Sequence, residues 1–237
     1  MGDLIDAASS ILMNSERKTE KLSNNISNIS TPGFKRSIEI SHISQKANRA
    51  DSSQISQNFI QDSSPGTLKQ TGNPLDIAIV GSGHFLVRQD NQFFLTRSGQ
   101  FSRGADGTLR DANDMVLQLA AGGDATVEGD GIEILADGTM LERDIPVGAI
   151  GVFAAPEGAN LHLSGGGLIP ATGGAAAVGD TEFEIRQGML ESSNVVLSDE
   201  MVALMANVRQ AEGAAQLVRA YDQLIGQAIT TFARAGR

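Results

Sequence analysis

The side chains best suited to chemistry are few and far apart. His42, His84 and His162 are the three imidazoles among 237 residues, and cysteine is absent. The histidines are too scattered for metal-ligand spacing, and a chain without cysteine has no disulfide, thiolate site or thiol nucleophile. No serine stands in a Gly-x-Ser-x-Gly elbow, and none pairs recognisably with a histidine and a carboxylate. Gly81-Ser82-Gly83 follows a predicted strand, as a phosphate loop would. It lacks the third glycine of a dinucleotide fingerprint and the Lys-Ser/Thr of a P-loop, so it reads as a turn. Asp106-Gly107-Thr108 and Asp137-Gly138-Thr139 lack the alternating oxygen ligands of a calcium loop and also read as turns. Asn25-Ile26-Ser27 and Asn28-Ile29-Ser30 match the glycosylation acceptor pattern but fall at the end of a predicted helix. The expectation is no enzyme, no cofactor and no metal. What the chain must position is packing surface.

Two terminal helices carry that surface. Leu197, Met201, Leu204, Val208, Ala211, Ala215, Val218, Asp222, Ile225, Ile229 and Phe232 follow one another at alternating spacings of four and three. All but Asp222 are apolar, and no proline interrupts the run. Ser198 is expected to cap the helix, with Asp199 and Glu200 where the helix dipole favours negative charge. From Ser198 to about Arg234 such a helix reaches roughly 55 Å at 1.5 Å per residue, too long to stand without a partner. At the other end Ile5, Ala8, Leu12, Ser15, Thr19, Leu22, Ile26 and Ile29 repeat the same spacing until Thr31-Pro32-Gly33 stops the helix. Ser15 and Thr19 are polar interruptions of the kind that fix coiled-coil register. Leu204 and Val208 are expected to be buried against the N-terminal helix or a neighbouring subunit.

Composition bounds the rest. Hydrophobic content of 41% allows a core, and a net charge of −10 argues against nucleic acid or an anionic membrane as main partner. Acidic Asp3 and Asp6 stand where a signal peptide would be basic, and no apolar run is long enough to span a bilayer. Residues 35–64 are rich in Ser, Gln and Asn and read as an extended connector. From 65 to 187, an interval holding 21 of the 27 glycines, short apolar runs such as Leu75 to Val80, Phe85 to Arg88, Gln92 to Leu95, Ala149 to Phe153 and Phe183 to Ile185 read as strands. Asp106-Gly107 and Asp137-Gly138 signal hairpin turns beside such runs. The predicted class is α+β: long antiparallel N- and C-terminal helices, residues 1–34 and 188–237, forming a coiled-coil-like arm with a Gly-rich antiparallel β module inserted between them.

Four segments then resemble one family in order along the chain. Asn24-Asn25, Asn28 and Thr31-Pro32-Gly33-Phe34-Lys35 look like the N-terminal signature of the rod and hook axial proteins of the bacterial flagellum. Gly72-Asn73-Pro74-Leu75-Asp76, Gly81, Gly83 and Phe85 resemble the opening of that family's β domain, and Thr96-Arg97-Ser98-Gly99 its next hairpin. Gln187-Gly188, Leu190-Glu191, Ser193, Asn194 and Val195 match its approach to the C-terminal helix. The family usually has an aromatic residue where His84 stands. The resemblance implies a non-catalytic structural subunit of the basal-body rod, nearest in length to the longer proximal-rod protein, with its distal-rod paralogue as alternative. It implies helical assembly with copies of itself and other rod subunits, with torque transmitted toward the hook. It also implies delivery by the flagellar type III export apparatus without a cleaved signal, and a periplasmic place without membrane insertion. The alternative from another class is a secreted β-rich binding module with helical oligomerisation arms. It is disfavoured by the absence of Trp and the single Tyr.

Overall fold

The computed structural model describes residues 3–43, 55–129, 131–155, 168–171, 176–177 and 182–235. Helix α1 (Asp3–Ser27) is followed by β1 (Ser37–Ile43) and β2 (Ile55–Gln61), which pair with each other. Then come β3 (Leu68–Gln70), β4 (Ile77–Gly81), β5 (His84–Gln89), β6 (Gln92–Thr96), β7 (Ser102–Arg103), β8 (Leu109–Arg110) and β9 (Val116–Leu117). They are followed by β10 (Ile132–Ile134), β11 (Thr139–Glu142), β12 (Ile145–Ala149), β13 (Val152–Ala154), β14 (Ile169–Pro170) and β15 (Ala176–Ala177). The chain closes with β16 (Phe183–Gln187), β17 (Met189–Glu191) and α2 (Leu197–Ala235), so the class is α+β. His162 and the side chain of His42 lie outside the described residues. No helix is long and apolar enough to cross a membrane among the described residues.

The fold divides into two compact units. One comprises Met1–Ser27, Glu39–Phe59 and Val196–Arg237, and within it α1 packs against α2. The helices run antiparallel, because Asn25 of α1 meets Glu200 at the start of α2 whereas Ser15 and Thr19 meet Asn207 further along. α2 begins at Leu197, one residue before the predicted cap. The carbonyl of Val196 accepts the N–H groups of Asp199 and Glu200, and the Ser198 hydroxyl is spent on the Asp199 carboxylate. Ser198 is therefore inside the first turn, and the acidic pair Asp199 and Glu200 supplies the favourable charge there.

The other unit comprises Asn28–Ile38 and Ile60–Val195. Its largest sheet runs β14-β6-β5-β9-β8-β7, and the strand pairs along it are antiparallel. Alternation along β5 sends Phe85 and Val87 into the core, where Phe85 meets Phe101 edge to face at 5.8 Å between centroids. Leu117, Met140, Ile150 and Ile185 complete the same core. Both predicted Asp-Gly turns are present: one joins β7 to β8 and the other β10 to β11, with Ile134 opposite Met140. The run from Ala149 to Phe153, expected as one strand, is split into the end of β12 and the start of β13. The break lies at Gly151, where an added Cβ would stand 2.3 Å from the Phe153 ring.

Candidate functional site: the helical seam and a buried charge clasp

The residues buried between the two helices keep an exact heptad spacing on each. Ala8, Ser15 and Leu22 are covered on α1, with Asn25 beside them, and Glu200, Asn207 and Ala214 are covered on α2. Asn207 Nδ2 donates to the Ser15 carbonyl at 2.7 Å and to Thr19 Oγ1 at 2.8 Å, and Asn25 Nδ2 donates to Glu200 Oε2 at 3.1 Å. Small and hydrogen-bonding side chains thus let the helices approach and specify register, while the buried Asn207 Oδ1 has no hydrogen-bond partner among the described residues. Asn25 is buried in this seam and is no glycosylation acceptor there.

The α2 face that meets α1 is offset by about one residue from the apolar stripe read in the sequence. Leu204, Ala211 and Val218 belong to both and are half-buried. Leu197, Met201 and Val208 instead stand exposed at 42%, 52% and 45%, with Met205 beside them at 55%. At 100° per residue these four side chains form one strip flanking the seam. Ile225 is also exposed. On α1, Leu22 is buried and Ile5, Leu12 and Ile26 are half-buried, while Ile29 falls in the turn after the helix. The side chains of Ile229 and Phe232 lie outside the described residues.

In the second unit the family-like segments meet each other. Gly33 turns with φ of 68° and donates its N–H to the Glu191 carbonyl at 2.7 Å. A Cβ on Gly33 would lie 2.3 Å from the backbone of Arg97 and Ser98, so this approach excludes every side chain. Phe34 is buried next to it, and Lys35 Nζ then reaches Glu191 Oε1 at 2.5 Å and the Ser64 carbonyl at 2.7 Å. The Gly66 N–H also donates to Glu191 Oε1, at 2.9 Å, and Arg97 Nε lies 3.5 Å from Glu191 Oε2. Lys35, Arg97 and Glu191 are all buried, which makes a clasp of two cations on one carboxylate. Arg97 Nη2 donates to the Gly81 carbonyl, which ties in the loop before β5. Asn194 receives the Arg36 N–H and donates to the carbonyls of Asp62 and Ser64, and Ser193 Oγ caps the Val195 N–H.

The remaining signature residues act as turn fasteners. Asn73 accepts the Leu75 N–H and donates to the Asp76 carboxylate, while Gly188 donates to the Asp76 carbonyl and accepts from Gly72. Gln187 donates to the carbonyls of Pro74 and Ile132 and accepts the Ile134 N–H. Gly99 packs against Ile77, whose N–H it receives; a Cβ there would strike the Ile77 carbonyl. Leu190 and Val195 are buried, and Asn28 Oδ1 accepts the Thr31 hydroxyl. Asn24 is half-buried and Gly83 turns with positive φ.

His84 extends the clasp in an unexpected way. Desolvation first, and then the positive charges of Arg97 and Lys35, push its pKa from 6.5 to about 4, and its buried Nδ1 has no hydrogen-bond partner among the described residues. Burial likewise pulls the Arg97 guanidinium below its ordinary value. Sequence reasoning singled out Glu191, Gly33 and Asn194 by resemblance, but it did not identify Lys35 and Arg97 as partners of Glu191. A buried ion pair between residues 156 positions apart leaves no local spacing to read. Among the described residues no group of three or more His, Asp or Glu stands where it could hold a metal.

Comparison with known proteins matches both sides of the clasp. Residues 5–35 match the family described as "Flagella basal body rod protein", and residues 186–231 match "Flagellar basal body rod FlgEFG protein C-terminal". The flagellar basal-body rod protein FlgF of Salmonella typhimurium is 30% identical over 227 residues, covering 86% of this chain and 88% of its own. FlgF of Mesorhizobium japonicum is 28% identical over 242 residues and 98% of each chain. The rod protein FlgG of Agrobacterium fabrum is 28% identical over 246 residues, 86% of this chain and 90% of its own. With relatives aligned over most of its length and Lys35 and Glu191 each inside a matched segment, the chain belongs to the flagellar basal-body rod protein family.

Proposed function

We propose that this chain is a non-catalytic rod subunit that polymerises helically through α1 and α2 and passes motor torque toward the hook. The observation that carries the reading is the exposed strip of Leu197, Met201, Met205 and Val208 beside a seam that is itself polar. Half-exposed aliphatic side chains gain about 1 kcal/mol each when a neighbour covers them. Identical subunits related by a rotation that does not close give a helical filament. In that filament α1 and α2 form a coiled-coil-like arm, and the glycine-rich β module of residues 65–187 is a folded insertion between residues 1–34 and 188–237. Residues 35–64 connect them, with residues 35–38 and 60–64 built into the β unit and β1 paired with β2 along the way. The FlgF relatives support a proximal position in the rod, and the FlgG relative keeps the distal reading as the alternative. Neighbouring copies and other rod subunits are its partners, and it reaches the periplasmic rod through the flagellar type III export apparatus without a cleaved signal.

The test is Val208→Asp, which would set a carboxylate into a covered apolar wall and cost several kcal/mol if the site is dry. The variant is expected to keep a folded β module, to be absent from purified basal bodies and to give non-motile cells, while Glu212→Gln assembles. Swimming cells with Val208→Asp in their basal bodies would remove the strip as an assembly surface.

A further inference from the structure

Three buried polar atoms around the clasp have no hydrogen-bond partner among the described residues: Arg97 Nη1, Glu191 Oε2 and His84 Nδ1. Strand register brings two of them together. Phe85 stands opposite Thr96 in the β5–β6 hairpin, so the same register continued by one residue sets His84 opposite Arg97. Cross-strand neighbours project to one face with their Cβ atoms about 5 Å apart. On its other side His84 is flanked by Phe153 of β13. Arg97 Nη2 donates to the Gly81 carbonyl at 2.7 Å, which draws the guanidinium toward the start of β5, and Arg97 Nε lies 3.5 Å from Glu191 Oε2. The other oxygen of that carboxylate, Oε1, is already taken by Lys35 Nζ and the Gly66 N–H. Glu191 and Arg97 are 2% and 8% exposed, so bulk solvent does not serve these atoms.

The chemistry of the three atoms decides what fits among them. Arg97 Nη1 can only donate, an ionised Glu191 oxygen can only accept, and the unprotonated nitrogen of a neutral imidazole accepts. An anion would suit Arg97 but be repelled by Glu191 Oε2 and by the imidazole lone pair. A cation would be repelled by Arg97 and Lys35. A neutral molecule that accepts one hydrogen bond and donates two satisfies all three atoms, and a buried water makes about three such bonds. We infer that this site binds a single water molecule, which accepts from Arg97 Nη1 and donates to Glu191 Oε2 and His84 Nδ1. The water fixes the imidazole as the tautomer with its proton on Nε2 and joins His84 and Arg97 of the β5–β6 hairpin to Glu191 of β17 in one network. The low pKa of His84 agrees with this role, because a proton on Nδ1 would replace the acceptor that the water needs by a donor. His84 is then a positioning residue for the clasp and has no part in any reaction.

The test uses the full-length chain in a His42→Gln/His162→Gln background, in which His84 is the sole histidine. Nitrogen NMR at pH 7 should show a neutral ring with its proton on Nε2 and the Nδ1 resonance shifted as for a hydrogen-bonded lone pair. A cross-relaxation peak should connect the ring Hε1 to a long-lived water. Oxygen-17 relaxation dispersion should count one long-lived water fewer in His84→Phe than in the parent. A proton on Nδ1 overturns the inference, since the imidazole then donates to Glu191 directly. So does a ring with no water cross-peak, or an equal water count in the two folded proteins. Should His84→Phe fail to fold, the tautomer and the cross-peak in the parent decide by themselves.

Discussion

Replacing Lys35 by Met tests whether the clasp organises the second unit. The change keeps most of the apolar stem but leaves the Glu191 carboxylate without its closest cation, at a site where both side chains are under 5% exposed. Breaking a buried pair by removing one partner costs about 3–5 kcal/mol, since the remaining charge is uncompensated. Here Gly66 still donates to Glu191 Oε1 and Arg97 still lies 3.5 Å from Oε2, so the lower end, about 3 kcal/mol, is expected. At this chain size that corresponds to a fall in Tm of about 10 °C. Arg36→Met is the control: its 2.9 Å pair with Asp62 is partly exposed, and pairs of that kind contribute under about 1 kcal/mol. Calorimetry of both variants, with Glu191→Leu and the Lys35→Met/Glu191→Leu double variant to complete a cycle, measures the coupling directly. If Lys35→Met melts with Arg36→Met, or if the cycle closes additively, the pair contributes nothing specific and the account of the clasp is wrong.

His84 gives the clasp a pH dependence. Its folded pKa, about 4, is below the ordinary 6.5, so its contribution is complete above pH 6.5 and is lost as pH falls through about 4. At about 1.36 kcal/mol per pH unit the loss is about 3 kcal/mol. Urea melts at pH 7 and pH 4 should show wild type losing that much more than His84→Phe, and equal losses would refute the burial of a neutral imidazole. Gly33→Ala should destabilise by several kcal/mol, because positive φ combines with a 2.3 Å clash against backbone, whereas Gly72→Ala, with positive φ but open space around it, should cost about 1–2 kcal/mol. Equal melting of the two alanine variants would refute the close approach at Gly33.

Legibility in the sequence tracked how local each determinant is. The two helices and the Asp-Gly hairpins are written in spacing and turn chemistry within a few residues, and they are where the sequence puts them. The turn at Arg143 and Asp144 was missed because Arg is no usual bearer of positive φ and no glycine marks the turn, although Asp tolerates that conformation; the hairpin is imposed by the pairing of Glu142 with Ile145. Likewise the offset of the α2 seam was hidden because apolar periodicity marks the faces that avoid water, not which partner covers them. Glu200 and Asn207 look like surface residues until Asn25, Ser15 and Thr19 are brought opposite them.

That offset bears on how the subunit works. Were Met201 and Val208 turned into the α1–α2 seam, the helix pair would be stable alone and would offer neighbours little apolar surface. Instead the seam is held by a handful of hydrogen bonds, whose net contribution is about 1 kcal/mol each, while the aliphatic strip remains outside. Polar contacts of this sort fix which residues face each other without contributing much stability, and the apolar gain is deferred until another surface covers the strip. On the proposed assembly, covering the strip also orders the ends of the two helices, so their full ordering is coupled to polymerisation. The β unit needs no such help, because Phe85, Leu117 and Met140 close its core within the chain and the Lys35–Glu191 pair locks its two chain ends together.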